Sequence, residues 1–278
     1  MAIWIVIILG IVQGACEFLP VSSSGHLVLF YNIFNITDNT ILLSVILHVA
    51  TLLSVIVCYW NDIIKLIKNP FCNTNKKLVI ATIPTVIIVL LLKSVVEKSF
   101  GGDFIIIGFL ITAIVLFISQ MLETKASKTV KNAYFLSENN VYNSITDINI
   151  NTKQALFVGV AQGLAIFPGI SRSGSTIAMG LMCGVKKSEV ADFSFLLSIP
   201  IIIASLLFEI IDVSVNKISI GFDPLTLFIG FIFSFLSGLI CIKLMLKFVK
   251  KSKLYWFSFY LVILSIFLIL NSYVLFLF

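Results

Sequence analysis

The chain has 278 residues, of which 59% are hydrophobic and 12% charged, and its mean hydropathy is +1.12. Soluble domains run at about 45–50% apolar and about 25% charged, so a water-soluble enzyme is excluded, as is a disordered chain, whose signature is low hydrophobicity. The net charge of +6 comes from lysines lying in short segments between apolar runs, where such residues set membrane topology rather than bind nucleic acid.

The first apolar stretch, residues 3–34, has no Lys or Arg ahead of it. It therefore reads as the start of a mature chain rather than a signal peptide. Near its middle it is broken by Gln13, Glu17, Pro20 and the run Ser22-Ser23-Ser24-Gly25-His26. Three segments follow, at 41–60, 78–96 and 104–122, each matching the roughly 20 apolar residues that cross a bilayer. Residues 154–185 then repeat the broken pattern, interrupted by Gln162, Pro168-Gly169 and Ser171-Arg172-Ser173-Gly174-Ser175-Thr176. Three more spans follow, at 193–211, 224–248 and 254–277.

Each broken stretch has a helix-length apolar arm on either side of its break, the pattern of a re-entrant helix hairpin. Backbone of that kind is tolerated at membrane depth only inside protein or along a wet cavity. If both hairpins return to their side of entry, the lysines of 61–77, 123–153, 186–187 and 243–253 all fall on one side. That side is cytoplasmic by the positive-inside rule. The first hairpin then enters from outside and the second from the cytoplasm. The five cysteines form no CxxC pair, and four lie in apolar stretches, so they read as small apolar fillers.

At an offset of 149, Gln13-Gly14 falls on Gln162-Gly163, Phe18 on Phe167, Ser22 on Ser171, Ser24 on Ser173 and Gly25 on Gly174. Each broken stretch is followed by three spans, and an odd count inverts the second copy. The predicted fold is an all-α polytopic membrane protein with an inverted-topology repeat, six transmembrane helices and two re-entrant hairpins. Its units are 1–122, a cytoplasmic loop 123–153, and 154–278. Sites in such folds lie at the repeat interface near the midplane. The mismatched pairs Glu17/Ile166, Ser23/Arg172 and His26/Ser175 are expected to share one cavity there.

Charges at membrane depth cost about 2.5–3.5 kcal/mol on insertion scales, so Glu17 and Arg172 read as functional, with a purely structural ion pair as the alternative. Serines before an apolar arm can cap a helix. Two helix N-termini beside an arginine make an anion site suited to phosphate. His26 beside serines and a glutamate suggests acid–base work on a phosphate ester. His48 lies in an otherwise apolar span and reads as hydrogen-bonded structure outside the site.

The segment Gln13–Leu27 resembles the first signature of the undecaprenyl-diphosphatases, the bacitracin-resistance membrane phosphatases. Pro168–Thr176 resembles the second, and Phe193–Pro200 is similar to a third stretch of that family. The resemblance runs the length of the chain. It implies release of the terminal phosphate of undecaprenyl diphosphate, which recycles the lipid carrier of cell-wall synthesis and confers resistance to bacitracin. It also implies a divalent cation, Mg or Ca, with Glu17 as its ligand, and a place in the bacterial inner membrane. Departures are Gln13 where Glu is frequent, Cys16 where Thr is usual, and Ala50 where Gly often stands. Type-2 phosphatidate phosphatases are excluded, because their nucleophilic histidine follows the Ser-Arg element and no histidine follows His48 here.

On this reading Glu17, Ser23, His26 and Arg172 are catalytic. Ser23 attacks, with Ser22 as the alternative. His26 activates the hydroxyl, and Glu17 orients His26 or holds the cation. Gln13, Ser22, Ser24, Gly25, Ser171, Ser173, Gly174, Ser175 and Thr176 bind phosphate, the amides of Ser173–Thr176 stabilising its charge. The site faces the periplasm. The partners are the lipid substrate and the bilayer, with no nucleic acid, and the assembly is left open between monomer and homodimer. A polyprenyl-phosphate flippase is the competing function, since transport needs the arginine and helix ends but no nucleophile.

Overall fold

The computed structural model describes residues 2–36, 40–99, 102–134, 145–215, 223–250 and 254–272. Among these the chain is helical and carries no strand. The first broken stretch is α1 (Ile3–Phe18) and α2 (Ser23–Ile33). The spans that follow are α3 (Thr40–Cys58) with the short α4 (Trp60–Lys68), then α5 (Asn73–Lys98) and α6 (Gly102–Tyr134). The second broken stretch is α7 (Thr152–Leu164) and α8 (Arg172–Met182). It leads into α9 (Lys187–Val215), α10 (Pro224–Lys250) and α11 (Tyr255–Leu270).

Each of the six expected spans carries a helix within its described residues, that at 254–277 being described only to 272. Four of them, α5, α6, α9 and α10, are long and apolar enough to cross a bilayer as single rods. The span at 41–60 bends by 74° into α4 after Cys58, and α11 has 16 residues. Two boundaries differ from expectation. Helix α5 starts at Asn73, where the Thr74 hydroxyl donates to Ile145 O and accepts from Ile148 N–H. Helix α6 runs on to Tyr134, past the expected end at 122. The lysines of 123–134, with Lys217, Lys251 and Lys253, fall on chain or side chains outside the described residues.

Packing is reciprocal between the two halves. Helix α1 lies along α10 and α7 along α5, while α6 pairs with α11 and α3 with α9. The match at offset 149 extends to single hydrogen bonds. Helix α2 spans 23–33 and α8 spans 172–182, the same residues displaced. Both end on a left-handed residue, Asn35 (φ 52°) and Gly184 (φ 81°). Each end is closed alike, by Ile36 N–H to Tyr31 O at 2.8 Å and by Val185 N–H to Gly180 O at 3.0 Å.

Leu66, Ile145, Val185, Val249 and Leu254 belong to one buried cluster, and Lys77 Nζ donates to the Thr152 hydroxyl at 2.7 Å. The outer faces of α5 and α11 expose Val79, Ile83, Leu90, Leu91, Phe259, Ile263 and Ile266. That surface suits lipid, and this is a multi-pass membrane protein. The five cysteines are unpaired.

Candidate active site

The two hairpin tips are built alike. Ser22 caps α2 by accepting from Gly25 N–H at 3.4 Å, and Ser171 caps α8 by accepting from Gly174 N–H at 3.0 Å. Each cap hydroxyl lies 3.3 Å from the serine two residues on, Ser24 and Ser173. Thr112 of α6 secures the second tip, donating to Gly169 O and accepting from Ser171 N–H at 2.9 Å. The tips differ in backbone: φ is −78° at Ser171 but +69° at Ser22, and +83° at Gly169, where Pro20 stands in the first tip.

Between the tips lies a cavity of about 680 Å³, lined by Glu17, Ser22, Ser23, Ser24, Ser171 and Arg172. Cys16, Tyr31, Thr40, Ser44, His48, Ile201, Ile202 and Ser205 complete much of its wall. Glu17 is the centre of the polar set. Its Oε1 accepts from Arg172 Nη2 at 2.6 Å. Its Oε2 accepts from Ser23 Oγ at 2.6 Å and from Gln13 Nε2 at 3.1 Å. The Glu17–Arg172 pair therefore joins α1 to α8, and both side chains are largely removed from solvent. A charge-assisted bond so short is strong, and it satisfies two charges that would be costly apart.

The expected cavity forms from Glu17, Ser23 and Arg172, with Ile166 beside them. His26 and Ser175 do not join it. His26 is 4% exposed, with Nδ1 at 2.8 Å from Ser22 O and Nε2 at 2.7 Å from the Tyr260 hydroxyl. Both ring nitrogens are engaged away from Ser23, which corrects the reading that His26 activates it. The group on the Ser23 hydroxyl is Glu17. The phosphate-binding set is corrected similarly. The Gly174 and Ser175 amides are taken by Ser171 Oγ and Ser171 O. Ser173 Oγ donates to Leu19 O, and Thr176 pairs with the Ser194 hydroxyl. Gly25 N–H is taken by Ser22, and Gln13 is wholly buried behind Glu17. Ser22, Ser24 and Ser171 do reach the cavity wall.

His48 was read as lying outside the site, yet it is in the wall, with Nε2 3.8 Å from Glu17 Oε2. Its Nδ1 is held by Ser44 O at 2.8 Å. Ser44, one helical turn before His48 on the same face, was the available sequence signal. Tyr260 and Thr112 carried no such signal, since their partners are distant in sequence.

A hard divalent cation takes oxygen ligands, commonly one or two carboxylates with phosphate and water. Among the described residues no three His, Cys, Asp or Glu side chains cluster. Glu17 is the one carboxylate in the described wall, and Gln13 Oε1 beside it is buried without a partner. This donor set does not make a protein cage; it fits a cation bound mainly through a diphosphate.

The family described as "Bacitracin resistance protein BacA" matches residues 6–267. The chain belongs to that family. A protein of Methanosphaera stadtmanae named undecaprenyl-diphosphatase is 39% identical, the match covering 97% of this chain and 98% of that one. Proteins of the same name from Carboxydothermus hydrogenoformans and Halothermothrix orenii are 37% and 38% identical, covering 94% and 97% of this chain and 94% and 98% of their own length. The hairpin tips and the wall around Glu17 all lie within the family match.

Proposed function

We propose that this chain is an undecaprenyl-diphosphate phosphatase that works with Ser23 as nucleophile and Glu17 as its base. The observation that carries the reading is the 2.6 Å bond from Ser23 Oγ to Glu17 Oε2, beside Arg172 on the other oxygen. The diphosphate enters between the tips, with its terminal phosphate at Ser23 and Arg172. Ser23 Oγ bonds to the terminal phosphorus and passes its proton to Glu17, while the bridging P–O bond breaks and undecaprenyl phosphate leaves. Glu17 hands that proton to the departing undecaprenyl phosphate; water then attacks the phosphoserine, Glu17 takes the water proton and returns it to Ser23 Oγ, and inorganic phosphate departs. Arg172 and the positive N-terminal ends of α2 and α8 offer fixed charge to the phosphoryl oxygens. The prenyl chain runs out past Ile201 and Ile202 toward lipid.

Glu17 would hold Mg or Ca together with the diphosphate. Such an ion neutralises the leaving phosphate. The protein sits in the bacterial inner membrane as two inverted repeats, 1–122 and 154–278. The lysine-rich ends are cytoplasmic and the tips open to the periplasm. A flippase is not favoured, because transport gives the Ser23–Glu17 pair nothing to do. The test is phosphate release from a polyprenyl diphosphate by purified protein, with and without a chelator. Release that stops on chelation is expected; no release under either condition overturns the reading.

A further inference from the structure

The polar groups of α11 should be rare on a face turned to lipid, yet Tyr260, half exposed there, directs its hydroxyl inward to His26 Nε2 at 2.7 Å. Its ring also stacks on the imidazole, with centroids 5.7 Å apart and planes 13° apart, and Phe109 meets the imidazole edge-on at 5.2 Å. On its other side His26 Nδ1 meets Ser22 O. A carbonyl only accepts, so Nδ1 carries the hydrogen, and Nε2 of the neutral ring accepts from the tyrosine. Ser22 is the residue at φ +69°, a conformation rare for a non-glycine residue that persists only where its surroundings fix it. The next residue, Ser23, donates to Glu17. The contacts form one line, Tyr260 to His26 to Ser22 to Ser23, linking the last described span to the first hairpin tip.

We propose that Tyr260 is a positioning residue for phosphate release, which holds the turn that presents Ser23 to Glu17 by clamping His26. The proposal rests on the phosphatase reading for its kinetic arm only. Tyr260→Phe keeps the ring stack and deletes one hydrogen bond. Its kcat should fall about tenfold, the scale of one such bond, with KM unchanged within twofold. A double variant with His26→Ala should be no slower than His26→Ala alone, because residues acting in one line are not additive. The chain has only two histidines, so in a His48→Gln background the nitrogen resonances of His26 can be observed alone. There Tyr260→Phe should shift the Nε2 resonance and leave Nδ1 protonated. A kcat within twofold of wild type, multiplying effects in the double variant, or an unmoved Nε2 resonance would each overturn the clamp. A wild-type protein that released no phosphate would sink the phosphatase reading instead, and the resonance would still judge the clamp.

Discussion

Ser22 and Ser171 hold equivalent places in the two hairpins and accept the same cap bond, yet only Ser22 has a positive φ. Such a conformation costs about 1–3 kcal/mol, and it stands immediately before the hydroxyl that Glu17 accepts from. The two serines should therefore separate on substitution. Ser23→Ala should abolish phosphate release while leaving lipid diphosphate binding and melting temperature near wild type. Ser22→Ala should lower stability by about 1 kcal/mol through the lost cap and slow release only in part. Equal loss in both variants, measured by release and thermal unfolding together, would remove Ser23 as nucleophile. At Arg172 the alanine variant mixes two effects, since it also strands the buried Glu17 carboxylate at about 3–5 kcal/mol. Arg172→Lys keeps the charge and removes the planar fork. It should lose about 10²-fold in release with the fold intact; activity within threefold of wild type would sink the phosphate-binding role. These residues were legible because polar groups in apolar runs are costly and so conspicuous. His48 had only the Ser44 signal within its own helix, because its meeting with Glu17 depends on how α3 lies against α1.

The hairpins were readable as elements because small and polar residues interrupt apolar runs in two places at one spacing. The close approach that docks them was not read, though it lies in the same repeat. Gly10 and Gly159 are 149 apart, as are Ala81 and Gly230 against which they pack. A Cβ at Gly159 would stand 2.0 Å from Ala81 O, and one at Gly10 would stand 2.6 Å from Gly230 O. Alanine in a helix gains up to about 1 kcal/mol over glycine, but here its methyl meets backbone that cannot turn aside. Overpacking at about 1–3 kcal/mol wins. Gly159→Ala should lower the melting temperature in detergent and Gly10→Ala should do so by less. A rise in either would mean that the helices separate freely at that crossing. The bend of α3 into α4 was unreadable for a different reason: it depends on a contact with a distant helix. Tyr59, at the bend, donates to Asp192 of α9 at 2.8 Å.

At the scale of the molecule, reciprocal packing and broken symmetry do different work. The repeat supplies two capped helix ends at one cavity, and the differences between its copies put a carboxylate, a serine hydroxyl and an arginine there. The proposed orientation rests on the charge pattern: with the lysine-bearing segments on one side, positive segments stay in the cytoplasm. On that proposal the first hairpin enters from outside and Ser23 opens to the periplasm. The test uses a background lacking the five native cysteines and a membrane-impermeant thiol reagent added to intact cells. A cysteine at Ser23, in the cavity wall, should react from outside. A cysteine at Lys68, exposed at the end of α4, should react only after permeabilisation. If Lys68→Cys labels in intact cells and Ser23→Cys does not, the orientation is reversed and the site faces the cytoplasm. Substrate added to the Ser23→Cys variant should slow its labelling, because the diphosphate and the reagent compete for one cavity. Protection at Ser23 without protection at Lys68 therefore ties the orientation to the site itself.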